Sequence, residues 1–474
     1  MKSDGGLEKI FSRKMLEIQQ VFLRFFVKKS FQSLVIFHFK YLKLKRFGYE
    51  LNLNLLLIAC FVVSCSPFVA FADTISANPA AVNITPGTGE LQRYIEKKLK
   101  IQNDHGIYID GVWIADANDL FSGGIKHVDR LTTNSSLLLS MTADTEKLNL
   151  WKGGLFGVQF LQFNGQSTNK QAGSVQGYNS LPGPPPLNRF SLYELWYRQV
   201  LFNKKLLIRI GKVDPTCDFN NVVKPVPLQE DRQSIAAVTG LIYTPIFVNS
   251  SMIGVLPGYY NTAYGVTINF IPTKKWYLSL GAYDGHLAQG TQTGLTGPHF
   301  NGSYFYIGET GFAWLLGKNQ LPGAIGLGAW HQTGLVQASP SVSEHDASGY
   351  YLFGSQRLWY KDPGCDNSGI SAFYQYGTNN SHAMLMDEYM GAGLTAFGLV
   401  PRRADDSMGL GAAYAWLNQA IFARHEELMY QAYYQAKIIN GVYVEPVLSY
   451  IPTPGASNKL NASWAGTLRA IILF

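Results

Sequence analysis

The stretch "YGVTINFIPTKKWYLSLGAY", Tyr264–Tyr283, holds two alternating segments around a short turn at Pro272–Lys275. In an extended strand, side chains two positions apart share a face. Each segment therefore has an apolar face and a weakly polar face. The weakly polar face of the first segment contains Thr267 and Asn269. The apolar stripes are Tyr264, Val266, Ile268 and Phe270, then Trp276, Leu278, Leu280 and Ala282. The stretch predicts a β-hairpin with one apolar face.

The same period returns near the end of the chain. Asn440–Gly441 is a pair that a tight two-residue turn prefers, because both positions tolerate positive φ. A strand over Val442–Tyr450 follows the turn, and the closing run alternates as far as Phe474. Before the turn, one face carries Glu427, Gln431, Gln435 and Lys437, and the other carries Leu428, Tyr430, Ala432, Tyr434 and Ala436. This pattern predicts a second hairpin of the same kind.

Three features favour a membrane barrel over a soluble β-sandwich, which also alternates. Aromatic residues gather near strand ends, the polar faces suit a wet lumen, and short turns alternate with long connections. Only helices and closed barrels satisfy backbone polar groups in lipid, and beyond the leader no segment approaches ~18 consecutive apolar residues. The short turns are Pro272–Lys275, Gly317–Pro322 and Asn440–Gly441, and the long connections are Asn164–Arg189, Asp284–Gly302 and Gly334–Gly349.

We therefore predict an all-β fold, namely a transmembrane antiparallel β-barrel. Roughly 400 mature residues suit about 16 strands, and such a barrel encloses an aqueous channel. A short helical segment is expected near Glu90–Lys100, after the signal peptide.

The basic charge of the chain is concentrated in residues 1–72. The formal net charge is +7, from 39 Lys and Arg against 32 Asp and Glu. Residues 1–72 hold eleven of the bases and four of the acids, which leaves 28 of each in the remainder. A neutral remainder gives no support to a nucleic-acid partner.

This N-terminal region has the features of a secretory signal peptide. Basic residues precede the apolar run "LNLLLIACFVVS", and Ala70–Ala72 forms a small-x-small cleavage site. The alternative is a lipoprotein box ending at Cys65. Because the region is longer than the ~15–30 residues of an ordinary signal peptide, the start codon is suspected to be over-called. We expect a leader over 1–72, a periplasmic or plug segment over 73–105 and the barrel over 106–474.

Two motifs suggest an enzyme, but the sequence around each motif does not support that reading. Gly391–Ala396 matches a dinucleotide fingerprint, but no strand-then-helix unit surrounds it. His425–Met429 lacks the second histidine of a zinc helix. We therefore expect neither an enzyme nor a bound cofactor or metal. In an oxidising compartment, Cys217 and Cys365 are able to pair or to remain separate thiols.

The stretch "LYELWYRQ", Leu192–Gln199, is unusual because it places an acid, a base and an indole two positions apart. Simple alternation puts Glu194, Trp196 and Arg198 on one side, together with Leu192. The opposite side then carries Tyr193, Leu195 and Tyr197.

Specific strings of the chain resemble the carbohydrate-selective porins of the OprB type, in order and over nearly the whole mature length. The strings include "WKGGLFGVQFLQFNG" from Trp151, "LYELWYRQ" from Leu192, "LIRIGKVDPTCDFN" from Leu207, "FVNSSMIG" from Phe247 and "GAYDG" from Gly281. The resemblance implies a single-chain outer-membrane barrel of 16 strands that admits sugars by diffusion. It also implies a constriction with arginine, glutamate and an aromatic side chain. These roles fall on Glu194, Trp196, Arg198 and Arg209, and Lys212, Asp214 and Asp218 match the family's "GK-x-D" stretch.

The chemistry of these residue types suits a sugar. Arginine and glutamate exchange hydrogen bonds with hydroxyl groups, and an indole stacks on the apolar face of the ring. A structural alternative is that Glu194 and Arg198 form an ion pair that braces the wall. We expect passive, carbohydrate-selective diffusion, with sugars and outer-membrane lipid as partners and the oligomeric state open. The alternatives are a porin for other small solutes and a secreted β-rich carbohydrate-binding protein.

Overall fold

The computed structural model describes residues 106–125, 130–183, 186–220, 222, 239–257, 261–285, 297–300, 302–363 and 368–473. The predicted signal peptide with its cleavage site, the segment 73–105 with its expected helix, Cys365 and the side chain of Cys217 lie outside the described residues. Predictions that concern them therefore remain predictions.

Sixteen strands form one closed antiparallel barrel, in which each strand pairs with its neighbours along the chain and the last pairs with the first. The expected fold is confirmed. The described residues contain one short α-helix, α1 (Thr168–Ala172), and 3-10 turns at Pro215–Cys217, Thr244–Ile246 and Ser250–Met252. Among the described residues, no helix is long and apolar enough to cross a membrane. The strands are β1 (Ile107–Ser122), β2 (Leu131–Asp144), β3 (Gly154–Asn164), β4 (Asn188–Leu201), β5 (Leu206–Val213), β6 (Ala263–Thr273), β7 (Trp276–Asp284), β8 (Tyr304–Leu316), β9 (Leu321–Ser339), β10 (Val342–Tyr360), β11 (Gly369–Asn379), β12 (Met386–Phe397), β13 (Ser407–Leu417), β14 (Glu426–Ile439), β15 (Val442–Ile451) and β16 (Ser463–Leu473).

The hairpin predicted over Tyr264–Tyr283 is formed by β6 and β7. Thr267 lies opposite Gly281, and Ile268 lies opposite Leu280. Thr267 is fully buried, whereas Leu280 is 47% exposed. The polar stripe therefore faces the lumen and the apolar stripe faces outward, as the alternation predicts.

The short turns lie at one end of the barrel and most long connections at the other. The turns before Trp276, Leu321 and Val442 share the end at which β1 begins and β16 finishes. At the opposite end, residues 165–187 connect β3 to β4; we call this segment the β3–β4 loop. Residues 214–262 connect β5 to β6 as the β5–β6 loop, which the sequence did not flag.

One predicted loop is wrong. Gly334–Gly349 lies within β9 and β10, which are 19 residues each and meet at a two-residue turn. Their pairing continues past the neighbouring strands β8 and β11, from His345 opposite Leu335 to Val342 opposite Ser339. The glycines and serines suggested a loop, but ladder hydrogen bonds between the two strands satisfy the backbone there.

The lumen is partly filled by the two long loops. Their backbones bond to each other, from Ser180 N to Ile242 O at 2.7 Å and from Thr244 N to Gly177 O at 2.9 Å. The apolar core lies on the inside of the barrel, between these loops and inward-facing aromatic residues. Its members include Tyr243, Ile246, Val248 and Met252 of the loop and Tyr351, Phe373, Tyr389 and Tyr433 of the wall.

Candidate functional site: the inner wall at β4 and β5

A β-bulge in β4 decides which side chains reach the lumen. Gln159 lies opposite Glu194 but Phe160 lies opposite Leu192, so Tyr193 is an extra residue. The extra residue resets the alternation, because the side chains before and after it no longer follow one phase. Leu192 therefore faces outward beside Phe160, and Tyr193 faces the lumen together with Glu194.

The faces predicted for "LYELWYRQ" are thus corrected at two positions and confirmed at the others. Tyr193 is buried and donates its hydroxyl to Asp214 Oδ2 at 3.0 Å, so it does not share the outward face. Leu192 does not share the face of Glu194. Beyond the bulge, Leu195 is 50% exposed on the outside, and Trp196 and Arg198 point inward.

The indole of Trp196 lies flat against the wall because β3 has a glycine beside it. A Cβ atom at Gly157 would overlap the six-membered ring of Trp196. Trp196 Nε1 donates to Glu194 Oε2 at 3.2 Å, which fixes the orientation of the ring. The guanidinium carbon of Arg209 stands 5.7 Å from the ring centroid, within the range of a cation–π contact.

Two arginines stand side by side next to this indole. Arg198 lies opposite Arg209 in the β4–β5 register. Arg209 forms an ion pair with Asp218, whose carboxylate also accepts from Thr267 Oγ1 at 3.0 Å. The side chains of Arg209 and Asp218 keep 14% and 16% of their surface exposed. Arg198 Nε has no hydrogen-bond partner within the described part of the chain.

Glu194, Lys212 and Asp214 are buried. Glu194 attaches the start of the β5–β6 loop to the wall, and Lys212 joins β5 to β4. Asp214 N donates to Glu194 Oε1 at 2.7 Å, and Lys212 Nζ donates to Leu192 O at 2.7 Å. Asp214 also accepts from Thr216 N at 2.9 Å and caps the turn that follows. The described contacts of Glu194 and Arg198 contain no ion pair between them, so the bracing role falls on Glu194 with Asp214 instead.

The matching family model spans residues 129–474 and is described as the carbohydrate-selective porin, OprB family. This chain belongs to the OprB family.

Individual relatives agree with this membership of the OprB family. Porin B of Pseudomonas aeruginosa is 24% identical, over 75% of this chain and 85% of that protein. The OprB structure of Pseudomonas putida at high pH superposes with a TM-score of 0.68 at 17% identity, over 80% of this chain and 97% of that chain. Its low-pH structure gives 0.51 at 15% identity, over 84% and 100%. At these identities the two structures support the fold.

Two side chains that anchor the loops of this OprB-family barrel were not identified as functional from the sequence. Glu427 Oε1 accepts from Ser174 Oγ at 2.8 Å and from Gln176 N at 3.0 Å, which fixes the β3–β4 loop. Gln431 Oε1 accepts from Ile242 N at 2.6 Å, which fixes the β5–β6 loop. The sequence carried one signal, because both residues stand on the predicted inward stripe of β14.

Tyr243 of the β5–β6 loop is a phenol buried in the lumen. Burial raises the pKa of the Tyr243 phenol in the β5–β6 loop, so it stays neutral. In the described part of the chain, no cluster of three His, Cys, Asp or Glu is placed to hold a metal ion.

Proposed function

We propose that this OprB-family barrel conducts sugars by passive diffusion through a constriction lined by Trp196, Arg198, Arg209 and Asp218. One observation carries the proposal: the Trp196 indole, held flat on the inner wall, has Arg209 over it, and Arg209 is itself paired with Asp218. An indole offers an apolar face to the sugar ring, and the charged groups exchange hydrogen bonds with its hydroxyls. Because Arg209 is already paired with Asp218, a sugar that bonds to either group replaces an existing contact, which keeps binding weak enough for release.

Glu194, Lys212 and Asp214 belong to the proposed site in a different way. They are buried, and the bond from Asp214 N to Glu194 attaches the β5–β6 loop to β4, while the bond from Lys212 to Leu192 O holds β5 against β4. Their contribution is to set the width of the opening by fixing the loop that carries Asp218.

We place the barrel in the outer membrane of a Gram-negative-type bacterium, with lipid around its outward face. The apolar stripe of β6 and β7 supports this, as does the aromatic group near the short-turn end. There Trp151 Nε1 donates to Tyr197 OH at 2.8 Å, and Phe156 packs against Tyr197 with ring centroids 4.9 Å apart. Such groups suit the interface between hydrocarbon and water.

A homo-oligomer remains an open prediction, which native mass spectrometry of the detergent-extracted protein would test.

The experiment is sugar block of ion current through single channels in planar bilayers. Glucose and a disaccharide should reduce the current of the wild type, and Trp196→Ala should weaken the block while the barrel stays folded. Tyr197→Ala is the matched control, because Tyr197 is on the outward face and should change heat stability instead. A wild-type channel that no sugar blocks would overturn the proposal. Block by small anions alone would favour the alternative solute class, to which the adjacent Arg198 and Arg209 are also suited.

A further inference from the structure

Glu309 of β8 is a buried carboxylate that receives hydrogen bonds from three directions. Its Oε2 accepts from Asn220 N at 2.6 Å and from Tyr351 OH at 2.8 Å, and its Oε1 accepts from Tyr277 OH at 2.7 Å. Only 2% of Glu309 is exposed. Two of the donors come from the wall and one from the β5–β6 loop, so this side chain joins the loop to the barrel.

Glycines on the neighbouring strands allow the two tyrosines to reach Glu309. Gly328 lies opposite Glu309 in the β8–β9 register and also opposite Tyr351 in the β9–β10 register. A Cβ atom at Gly328 would overlap the ring of Tyr351, and one at Gly311 would overlap the ring of Tyr277. Each tyrosine ring therefore lies over the backbone of its own glycine, and both hydroxyls donate to the Glu309 carboxylate. The carboxylate and both phenols belong to strands of the wall.

The loop segment that Glu309 holds is short and carries Asp218. A 3-10 turn at Pro215–Cys217 begins at Asp214, and Asp218 N and Phe219 N both donate to Pro215 O. The segment is attached at its start through Asp214 to Glu194. At its other end, Asn220 adopts a left-handed φ of 52° and donates its N–H to Glu309. Between two such attachments, Asp218 has little freedom to move away from Arg209.

We propose that Glu309 is a positioning residue for the ion selectivity of the pore, acting through Asn220 on Asp218. When Glu309 and its two tyrosines hold the segment, the Asp218 carboxylate offsets the positive charge of Arg209 beside Arg198. When the hold is loosened, Arg209 loses this carboxylate for part of the time, and the pore wall becomes more positive. A more positive wall favours anions over cations. The inference rests on the proposed constriction at Arg198, Arg209 and Asp218.

The test separates positioning from the simple loss of a buried charge. Tyr277→Phe/Tyr351→Phe removes two donors and leaves the Glu309 carboxylate in place. The cation-to-anion permeability ratio, measured from reversal potentials in a salt gradient, should fall about twofold. Asp218→Asn should lower it at least as much, and adding the tyrosine pair to Asp218→Asn should change it no further. Glu445→Gln, which neutralises a buried carboxylate on β15, is the charge control. It should lower the permeability ratio less than the tyrosine pair does.

The outcomes distinguish the inference from the function on which it rests. A tyrosine pair that leaves the ratio at the wild-type value while Asp218→Asn lowers it would overturn the positioning role. So would an Asp218→Asn variant with unchanged selectivity, or equal effects of the tyrosine pair with and without Asp218. Absence of sugar block in the wild type would instead count against the proposed function and leave the selectivity result standing. Heat-modifiable gel mobility reports folding, and Tyr351→Phe alone replaces the pair if the pair does not fold.

Discussion

Asp116 on β1 and Arg469 on β16 form a two-point ion pair across the seam where the barrel closes. Arg469 Nε and Nη2 each lie 2.8 Å from one carboxylate oxygen of Asp116, and the two residues are opposite each other in the register. Asn179 of the β3–β4 loop donates to the same carboxylate at 2.8 Å. One buried pair therefore contributes both to the seam of the barrel and to the position of the β3–β4 loop.

Breaking this pair on one side should destabilise the barrel strongly. Arg469→Met leaves Asp116 buried without its cation, and removing one partner of a buried pair costs about 3–5 kcal/mol. The temperature at which the fast-migrating folded band is lost in gel electrophoresis should fall. Asp116→Leu/Arg469→Met removes both charges and should recover much of the loss. A single variant as heat-stable as the wild type would contradict the assigned role.

The outward stripe of β6 predicts a difference between adjacent positions. Ile268 is the middle residue of the eleven-residue strand and faces outward, whereas Asn269 faces the lumen, where its Oδ1 accepts from Ser279 Oγ at 2.6 Å. Ile268→Arg should cost ~2–4 kcal/mol in a membrane, and Asn269→Arg should be tolerated. The yield of folded barrel in lipid vesicles measures both. Equal losses would show that the outward face does not contact lipid.

Gly157 should control the proposed sugar contact without touching the solute. Gly157→Ala places a methyl group where the Trp196 ring lies, so the indole must tilt away from the wall. The sugar-block constant should weaken roughly fivefold, which corresponds to about 1 kcal/mol of aromatic contact. Gly308→Ala is the control, because its Cβ would meet only Leu280 Cδ2 at 3.4 Å. Unchanged block in Gly157→Ala would remove Trp196 from the proposed site.

Arg198 should contribute positive charge to the pore. Arg198→Ala should raise the permeability of cations relative to anions, because a cationic group leaves the wall. Arg198→Lys keeps the charge and should keep the selectivity, although its single ammonium group cannot present the two-pronged donor pattern of arginine to a sugar. Reversal potentials and sugar block, measured on the same channels, separate the two effects. Selectivity that is the same in all three proteins would place Arg198 away from the ion path.

The sequence by itself determined the strand pattern, because side-chain alternation is a local property of an extended chain. The stripe from Tyr264 to Phe270 and the inward Gln431 followed from it, and the approximate strand number followed from the length of the chain. Alternation failed at Tyr193, since a bulge belongs to the pairing of two strands and leaves no mark in one of them. The loop predicted over Gly334–Gly349 was wrong for a related reason, because a composition typical of loops does not prevent two strands from pairing.

Only the tertiary structure decided how the lumen is filled and which charges meet there. Glu194, Arg198 and Arg209 could be selected from the sequence because they stand in strings that resemble the OprB-type porins. Glu309 could not, because its partner Asn220 is far away along the chain and the bond forms only after the barrel has closed and the β5–β6 loop has entered it. Contacts between a loop and a distant part of the wall depend on how the barrel closes and on the shear of its strands. The local alternation of side chains predicts neither.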